Sequence, residues 1–331
     1  MAQQITNKGI TITKYLEKYP DAPALTLAKK IYYENKMLFK DIESVRKMVR
    51  YYFGSSGKKH MKNITNRKFI REKRFSGIVL PEPKMHFEHP EPYEPELEKT
   101  LIIGDIHAPY YDKTALATAI EYGLKNECTT LLINGDFLDH YAASRWEKDP
   151  KKRDWGSEYK TSMELLKILR ETFRSVIWKK GNHDQWYDKY MQLKAPEAFA
   201  IPHFEFNELY KVDELGIKLI EDWRIIKYGR LHILHGHEYK FSISNPVGAA
   251  RGLFLKNGGT NALCHHFHSM TEYSKNTLDK RIVSCWSVGC LCGIQEYSPH
   301  GDQTHGFAIL SFDDEKQFHI ENKKIINGNI S

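Results

Sequence analysis

Three apolar runs in this chain of 331 residues break off into clusters of acidic, imidazole and amide side chains. Leu101-Ile102-Ile103 leads into Gly104-Asp105-Ile106-His107, and Leu131-Leu132-Ile133 leads into Asn134-Gly135-Asp136-Phe137-Leu138-Asp139. Val176-Ile177-Trp178 is followed by Gly181-Asn182-His183-Asp184. Downstream, Leu231-His232-Ile233-Leu234 ends at His235-Gly236-His237, and Ala262-Leu263-Cys264 ends at His265-His266-Phe267-His268. Taken singly, each cluster is an ordinary loop, turn or strand exit. Together they form a mixed oxygen and nitrogen donor set that suits Mn²⁺, Fe or Zn²⁺, and the lack of nearby thiolates argues against a structural zinc site. Two ions about 3.5–4 Å apart repel each other, and one Asp at a strand tip can supply the anionic bridge that offsets this.

The elements that must position these side chains are strands alternating with helices. TLIIGDIH, TTLLINGD and SVIWKKGNHD read as strands, with DKTALATAIEYGLKN and EYKTSMELLKILRETF as the helices between them. WRIIKYGRLHILHG, TNALCHHFH, IVSCWSVGCLCG and HGFAILSF read as further strands, giving an α/β layered fold with a β-rich second half. Ligand sites in open α/β sheets lie outside the carboxyl ends of strands, where these clusters fall. Residues 80–99 hold five prolines and are expected to form an extended Pro/Glu-rich linker between a domain at 1–79 and a catalytic domain at 100–331. The first domain reads as three short helices, with Asp41 capping the third. Ile42, Val45, Val49 and Tyr52 form its apolar stripe, while Arg46, Lys47 and Arg50 lie away from it. A basic last helix resembles that of a helix-turn-helix fold, and the stretch after it adds Lys58 and Lys59.

Charge and composition narrow the classes. Residues 1–80 carry 18 Lys and Arg against 6 Asp and Glu, whereas the remainder carries 31 against 36. A basic head on a mildly acidic body is expected to meet nucleic acid through Arg46, Lys47, Arg50, Lys58 and Lys59. With 41% hydrophobic residues a large core can form, and no run approaches the roughly 20 apolar residues of a membrane span. The N-terminal stretch lacks the apolar core of a signal peptide, so a soluble, cytoplasmic protein without a membrane or obligate protein partner is expected. Five cysteines are too few for a disulfide scaffold, and Cys290 and Cys292 read as core residues of a buried strand.

In their order, DIH, GDFLD, GNHD, LHGH and HHFH resemble the motif series of the calcineurin-like metallophosphoesterase superfamily over about residues 100–312. There is also a general likeness to phosphoesterases of phages and mobile elements. The resemblance implies a four-layer β-sandwich flanked by helices, with the small all-α domain ahead of it. It implies Asp105, His107 and His268 on one divalent ion, Asn182, His235 and His266 on a second, and Asp136 between them. Mn²⁺ is the expected metal, with Fe, Zn²⁺ and Ni²⁺ as alternatives. His183 would be the general acid, oriented by Asp139, for attack by a metal-bridging hydroxide on phosphorus. Two positions stay open, because His237 or His232 rivals His235, and His265 stands where the family has glycine and rivals His266. Strand alternation would put His266 and His268 on one side and His265 on the other. Protein phosphatases of the superfamily carry an arginine where this chain has His140, and GNHD is common in its nuclease-like branch. The expected function is therefore a phosphodiesterase or nuclease acting on nucleic acid. The alternatives are a phosphomonoesterase, a nucleotide or cyclic-nucleotide hydrolase, and a non-catalytic DNA-binding protein on this scaffold.

Overall fold

The computed structural model describes residues 7–53, 90–144, 149, 154–221, 223–239, 248–293 and 303–331. The chain divides into two units, Met1–His86 and Phe87–Ser331. In the first, α1 (Asn7–Lys18), α2 (Ala24–Glu34) and α3 (Ile42–Phe53) bury Ile12, Leu27, Ala28, Ile31, Val45 and Val49 completely. Ser44 N donates to Asp41 Oδ1 at 2.6 Å, so the expected cap is in place. Tyr52 departs from the expected stripe at 40% exposure, because Val45 and Val49 already fill the contact with the other two helices. Lys47 and Arg50 are exposed, whereas Arg46 is half-buried and pairs with Glu43 at 3.2 Å. The α2–α3 connection spans residues 35–41, longer than the roughly 3–4-residue turn of a helix-turn-helix. Lys58 and Lys59 lie outside the described residues.

The second unit stacks four layers. Its larger sheet has the order β12-β11-β10-β1-β2-β3-β4, with β1 (Thr100–Ile103), β2 (Thr130–Asn134), β3 (Ser175–Lys179) and β4 (Lys218–Ile220) mutually parallel. β10 (His305–Phe312), β11 (Phe318–Ile326) and β12 (Asn329–Ile330) continue it antiparallel on the far side of β1. The smaller sheet runs β5 (Ile226–Tyr228), β6 (Leu231–Ile233), β7 (Asn261–Cys264), β9 (Ile282–Ser287) and β8 (Thr271–Asn276).

The pleat assigns the layers. Leu101, Ile103, Leu131 and Ile133 face α4 (Lys113–Lys125) and α5 (Trp155–Thr172), burying Ala115, Leu116, Leu166 and Leu169. Their neighbours Ile102, Leu132 and Ile177 point the other way, against Ile226, Ile233 and Leu263 of the smaller sheet. Each such side chain contributes roughly 1.5–3 kcal/mol on burial. A further helix, α7 (Ala249–Lys256), covers the outer face of the smaller sheet through Ala250 and Leu253, and α6 (Trp186–Lys194) follows β3 on the larger-sheet side.

Two expectations change. WRIIKYGRLHILHG is a hairpin rather than one strand, because the chain reverses at Gly229 (φ +59°) and pairs Ile226 with Ile233. Within the expected linker, Tyr93 bridges in parallel to Ile226, with Tyr93 N donating to Ile225 O at 2.9 Å, so this part is attached to the edge of the smaller sheet. Among the described residues no helix is long and apolar enough to cross a membrane.

Candidate metal centre

Each sequence cluster leaves the C-terminal end of a parallel strand: Asp105 after β1, Asp136 after β2, Asn182 and His183 after β3, His235 after β6, and His266 and His268 after β7. Four of these residues and His107 turn the backbone into the left-handed region: Asp105 (φ 48°), His107 (50°), Asp136 (49°), His266 (73°) and His268 (53°). Side chains other than glycine adopt that region at a cost of about 1–3 kcal/mol each, and such residues cluster at functional sites. Backbone hydrogen bonds hold the turns: Ile106 N and His107 N both donate to Asp136 O, at 2.9 and 3.0 Å, and Thr304 N donates to His268 O at 2.7 Å. The two glycines are required by space. A Cβ on Gly135 would stand 2.2 Å from His235 Nδ1, and one on Gly181 would stand 2.2 Å from Asp136 Oδ1.

His107 and His235 share one orientation, with Nδ1 held from behind and Nε2 turned toward Asp136. His107 Nδ1 donates to Asp139 Oδ1 (2.9 Å) and His235 Nδ1 to Asn134 O (2.8 Å), which leaves the Nε2 lone pairs available. Asp136 Oδ2 stands 3.2 Å from His235 Nε2 and 3.9 Å from His107 Nε2, so it lies between histidines of the two expected sets. Asp105 Oδ1 is 3.8 Å from both His235 Nε2 and His268 Nε2. Donor atoms of Asp136, His235 and His266 fall within 4.8 Å of one another, as do those of His107, Asp136 and His183.

The fit to cations rests on what these atoms lack. Asp105 Oδ1, His107 Nε2, Asn182 Oδ1 and His235 Nε2 are buried without a hydrogen-bond partner; the 3.2 Å approach of Asp136 to His235 is not in hydrogen-bond geometry. A buried polar atom left unpaired costs about 1–3 kcal/mol, and more when charged. Four such atoms just beyond the ends of β1, β3 and β6, all of ligand type, fit divalent ions as their partners.

His183 is held differently from the expectation. Its Nδ1 donates to the backbone carbonyl of Asp139 at 2.8 Å, while the Asp139 carboxylate is 3.5 Å away and hydrogen-bonded to His107. Asp139 therefore steadies a candidate ligand with its side chain and His183 chiefly with its main chain. Burial works against the His183 imidazolium, but the Asp136 charge and the Asp139 contacts outweigh it and raise its pKa to about 9. Burial pushes Asp105 up to about 6 despite the attraction of His235. His140 faces inward: it is fully buried, and burial lowers its pKa to about 4. Its Nδ1 donates to His183 O (2.9 Å), and its Nε2 accepts from Tyr210 OH (2.8 Å).

The open alternatives are separated by geometry. His265 Nδ1 accepts from Asn134 Nδ2 at 3.0 Å, so its proton sits on Nε2 and offers no lone pair. His266 and His268 reach the centre through left-handed turns beyond the end of β7, not through strand alternation. His232 lies on β6 against Asn261 O, and His237 stands beside Gln185, with Nε2 atoms 3.1 Å apart; neither belongs to the donor groups. His305 Nε2 donates to Cys292 O at 2.9 Å, and His300 lies outside the described residues.

Several residues escaped the sequence reading. All five cysteines are buried and free, but Cys292 Sγ is 3.8 Å from His268 Nδ1 and groups with His107 and His268, so a thiol does adjoin the centre. Only its loop position, after β9, could have shown this. The Asp184 carboxylate accepts from Gly181 N (2.8 Å) and Leu138 N (3.1 Å), joining the β2 and β3 tips. Asp184→Ala orphans both donors and is expected to lower unfolding free energy by roughly 2–4 kcal/mol in denaturant titration. An unchanged midpoint would refute that role.

A calcineurin-like phosphoesterase family model matches residues 98–318. Among solved structures, a single-mutant Vps29 from Entamoeba histolytica is similar at 16% identity, covering 70% of this chain and 96% of its own, with a TM-score of 0.37. Vps29 from Cryptosporidium parvum is 14% identical, covering 71% and 95%, with a TM-score of 0.39. YfcE, a phosphoesterase from E. coli, is 14% identical, covering 67% and 98%, with a TM-score of 0.34. The curated proteins compared contain no match.

Proposed function

Since the chain belongs to the calcineurin-like phosphoesterase family and is a metal-dependent phosphoester hydrolase, we propose that it cleaves phosphodiesters of nucleic acid. The observation that carries this reading is the segregated charge, 18 basic against 6 acidic residues in 1–80 and a mildly acidic remainder, with Lys47 and Arg50 exposed on α3. The inward turn of His140 supports it, since no guanidinium stands at that position to grip a terminal phosphate in bidentate fashion.

Asp105, His107, Asp136, Asn182, His235, His266 and His268 would hold the cations, for which the oxygen and imidazole donors favour Mn²⁺. A bound pair of such ions supplies Lewis-acid charge at the phosphoryl oxygens and makes water acidic enough to react. The protein's own part is then positional. Asp139 fixes the His107 ring, Asn134 O fixes the His235 ring, and Asp139 O fixes the His183 ring through Nδ1–H, so that its imidazolium form, which the Asp136 and Asp139 charges favour, presents Nε2–H to the leaving alkoxide. Proton donation of this kind is typically worth about 10²–10⁴ in rate.

The test compares bis-p-nitrophenyl phosphate, p-nitrophenyl phosphate, 2′,3′-cyclic AMP and single- and double-stranded DNA, each with Mn²⁺ and with chelator. Rapid monoester turnover with no polynucleotide cleavage would end the nucleic-acid reading. In the full-length chain, Lys47→Glu with Arg50→Glu is expected to weaken DNA binding and to reduce the salt slope by about 1–2 units, with small-diester hydrolysis retained. Equal affinity at every salt concentration would remove α3 from the interface.

A further inference from the structure

The geometry points to Trp186 as the positioning residue for His183, an inference that rests on the general-acid reading above. Trp186 opens α6, and its N–H donates to His183 O at 3.0 Å, closing a turn that brings the two side chains to the same side. The indole and imidazole rings stack with centroids 3.7 Å apart and planes 31° from parallel. The imidazole also meets the His107 ring in a T-shaped contact, at 4.4 Å and 89°. His183 is thus fixed at one ring nitrogen by Asp139 O, along one face by Trp186, and at its main chain by His140. The hydrogen bond at Nδ1 alone leaves the ring free to tilt about the N–H···O axis. The indole face removes that freedom, so it sets the direction in which Nε2–H meets the leaving oxygen. The half-buried Trp186 makes this contact from the helix.

A group acting through the general acid matters only where the leaving oxygen needs a proton. Alkyl esters need one, whereas p-nitrophenolate departs without it. The test uses matched pairs: thymidine 5′-p-nitrophenyl phosphate against thymidylyl-thymidine, and p-nitrophenyl phosphate against glycerol phosphate. In manganese-loaded full-length protein, Trp186→Leu is expected to lower kcat roughly 10-fold on the alkyl ester and less than about threefold on the aryl ester. Trp186→Phe restores most of the alkyl rate because it keeps a flat face. Metal content by elemental analysis stays at the wild-type level. An independent readout is the proton NMR signal of the His183 ring, identified by its loss in His183→Asn: ring current holds it upfield, and Trp186→Leu moves it downfield. Equal losses on both esters, no loss on the alkyl ester, or an unmoved resonance would overturn the inference. The two readings fail separately. If His183→Asn shows no dependence on the leaving group, the general-acid role falls; if it does and Trp186→Leu does not, only the stacking role falls.

Discussion

Asp136→Asn is expected to release the bound divalent ions and to lower phosphoester turnover by about 10³-fold or more, corresponding to the several kcal/mol of charge stabilisation that metals supply. The substitution changes charge and little else. Asp136 Oδ1 accepts from His183 N at 2.8 Å, and an amide oxygen can keep that bond, while Gly181 leaves room for a group of the same size. What disappears is the negative Oδ2, which faces His235 at 3.2 Å and His107 at 3.9 Å. Asp105 Oδ1 also stands between the two expected sets, 3.8 Å from His235 and from His268, but Asp136 makes the closer approach, so the substitution removes the nearer of the two shared negative charges. Elemental analysis of manganese-supplied protein and turnover of bis-p-nitrophenyl phosphate check the prediction together. Wild-type metal content with wild-type turnover would remove Asp136 from the centre and the reaction from this site.

The strand-tip motifs were legible because each begins where a run of buried aliphatic residues stops, and β1, β2 and β3 end within a few residues of the predicted points. The Asp41 cap was legible for the same local reason. Less local features were not. β8 (TEYSKN) and β11 (FHIENKKII) alternate half-buried with exposed positions and carry too many charges to stand out as apolar runs. The hairpin at Gly229 depends on a reversal that one glycine permits but does not announce. Strand pleating was expected to aim His266 and His268 away from His265, but left-handed turns beyond β7 aim them, and their donor atoms group with those of Asp136 and His107 respectively. Which atom of Asp139 meets which histidine, and the approach of Cys292 to His268, depend on loops after different strands meeting. No pattern within one segment encodes such meetings.

His183→Asn separates the two roles open to that residue, because its ring groups with His107 and Asp136 as a third donor as well as facing the site as an acid. Asparagine places an amide N–H near the position of the imidazole Nδ1–H, so the bond to Asp139 O (2.8 Å in the wild type) survives and the loop keeps its shape. It removes Nε2 altogether. If His183 donates the proton, metal content remains at the wild-type level, and turnover of an alkyl diester falls by about 10²–10⁴-fold. If instead His183 supplies a lone pair to an ion, metal is lost along with activity, and the loss extends equally to p-nitrophenyl esters. Against the penalty of burial, Asp136 and Asp139 raise the His183 pKa to about 9, but carboxylate charge likewise raises that of His235, assigned as a ligand, to about 10, so charge alone does not separate the roles and metal content decides between them. Equilibrium dialysis with Mn²⁺ and paired kinetics on aryl and alkyl esters distinguish the two roles.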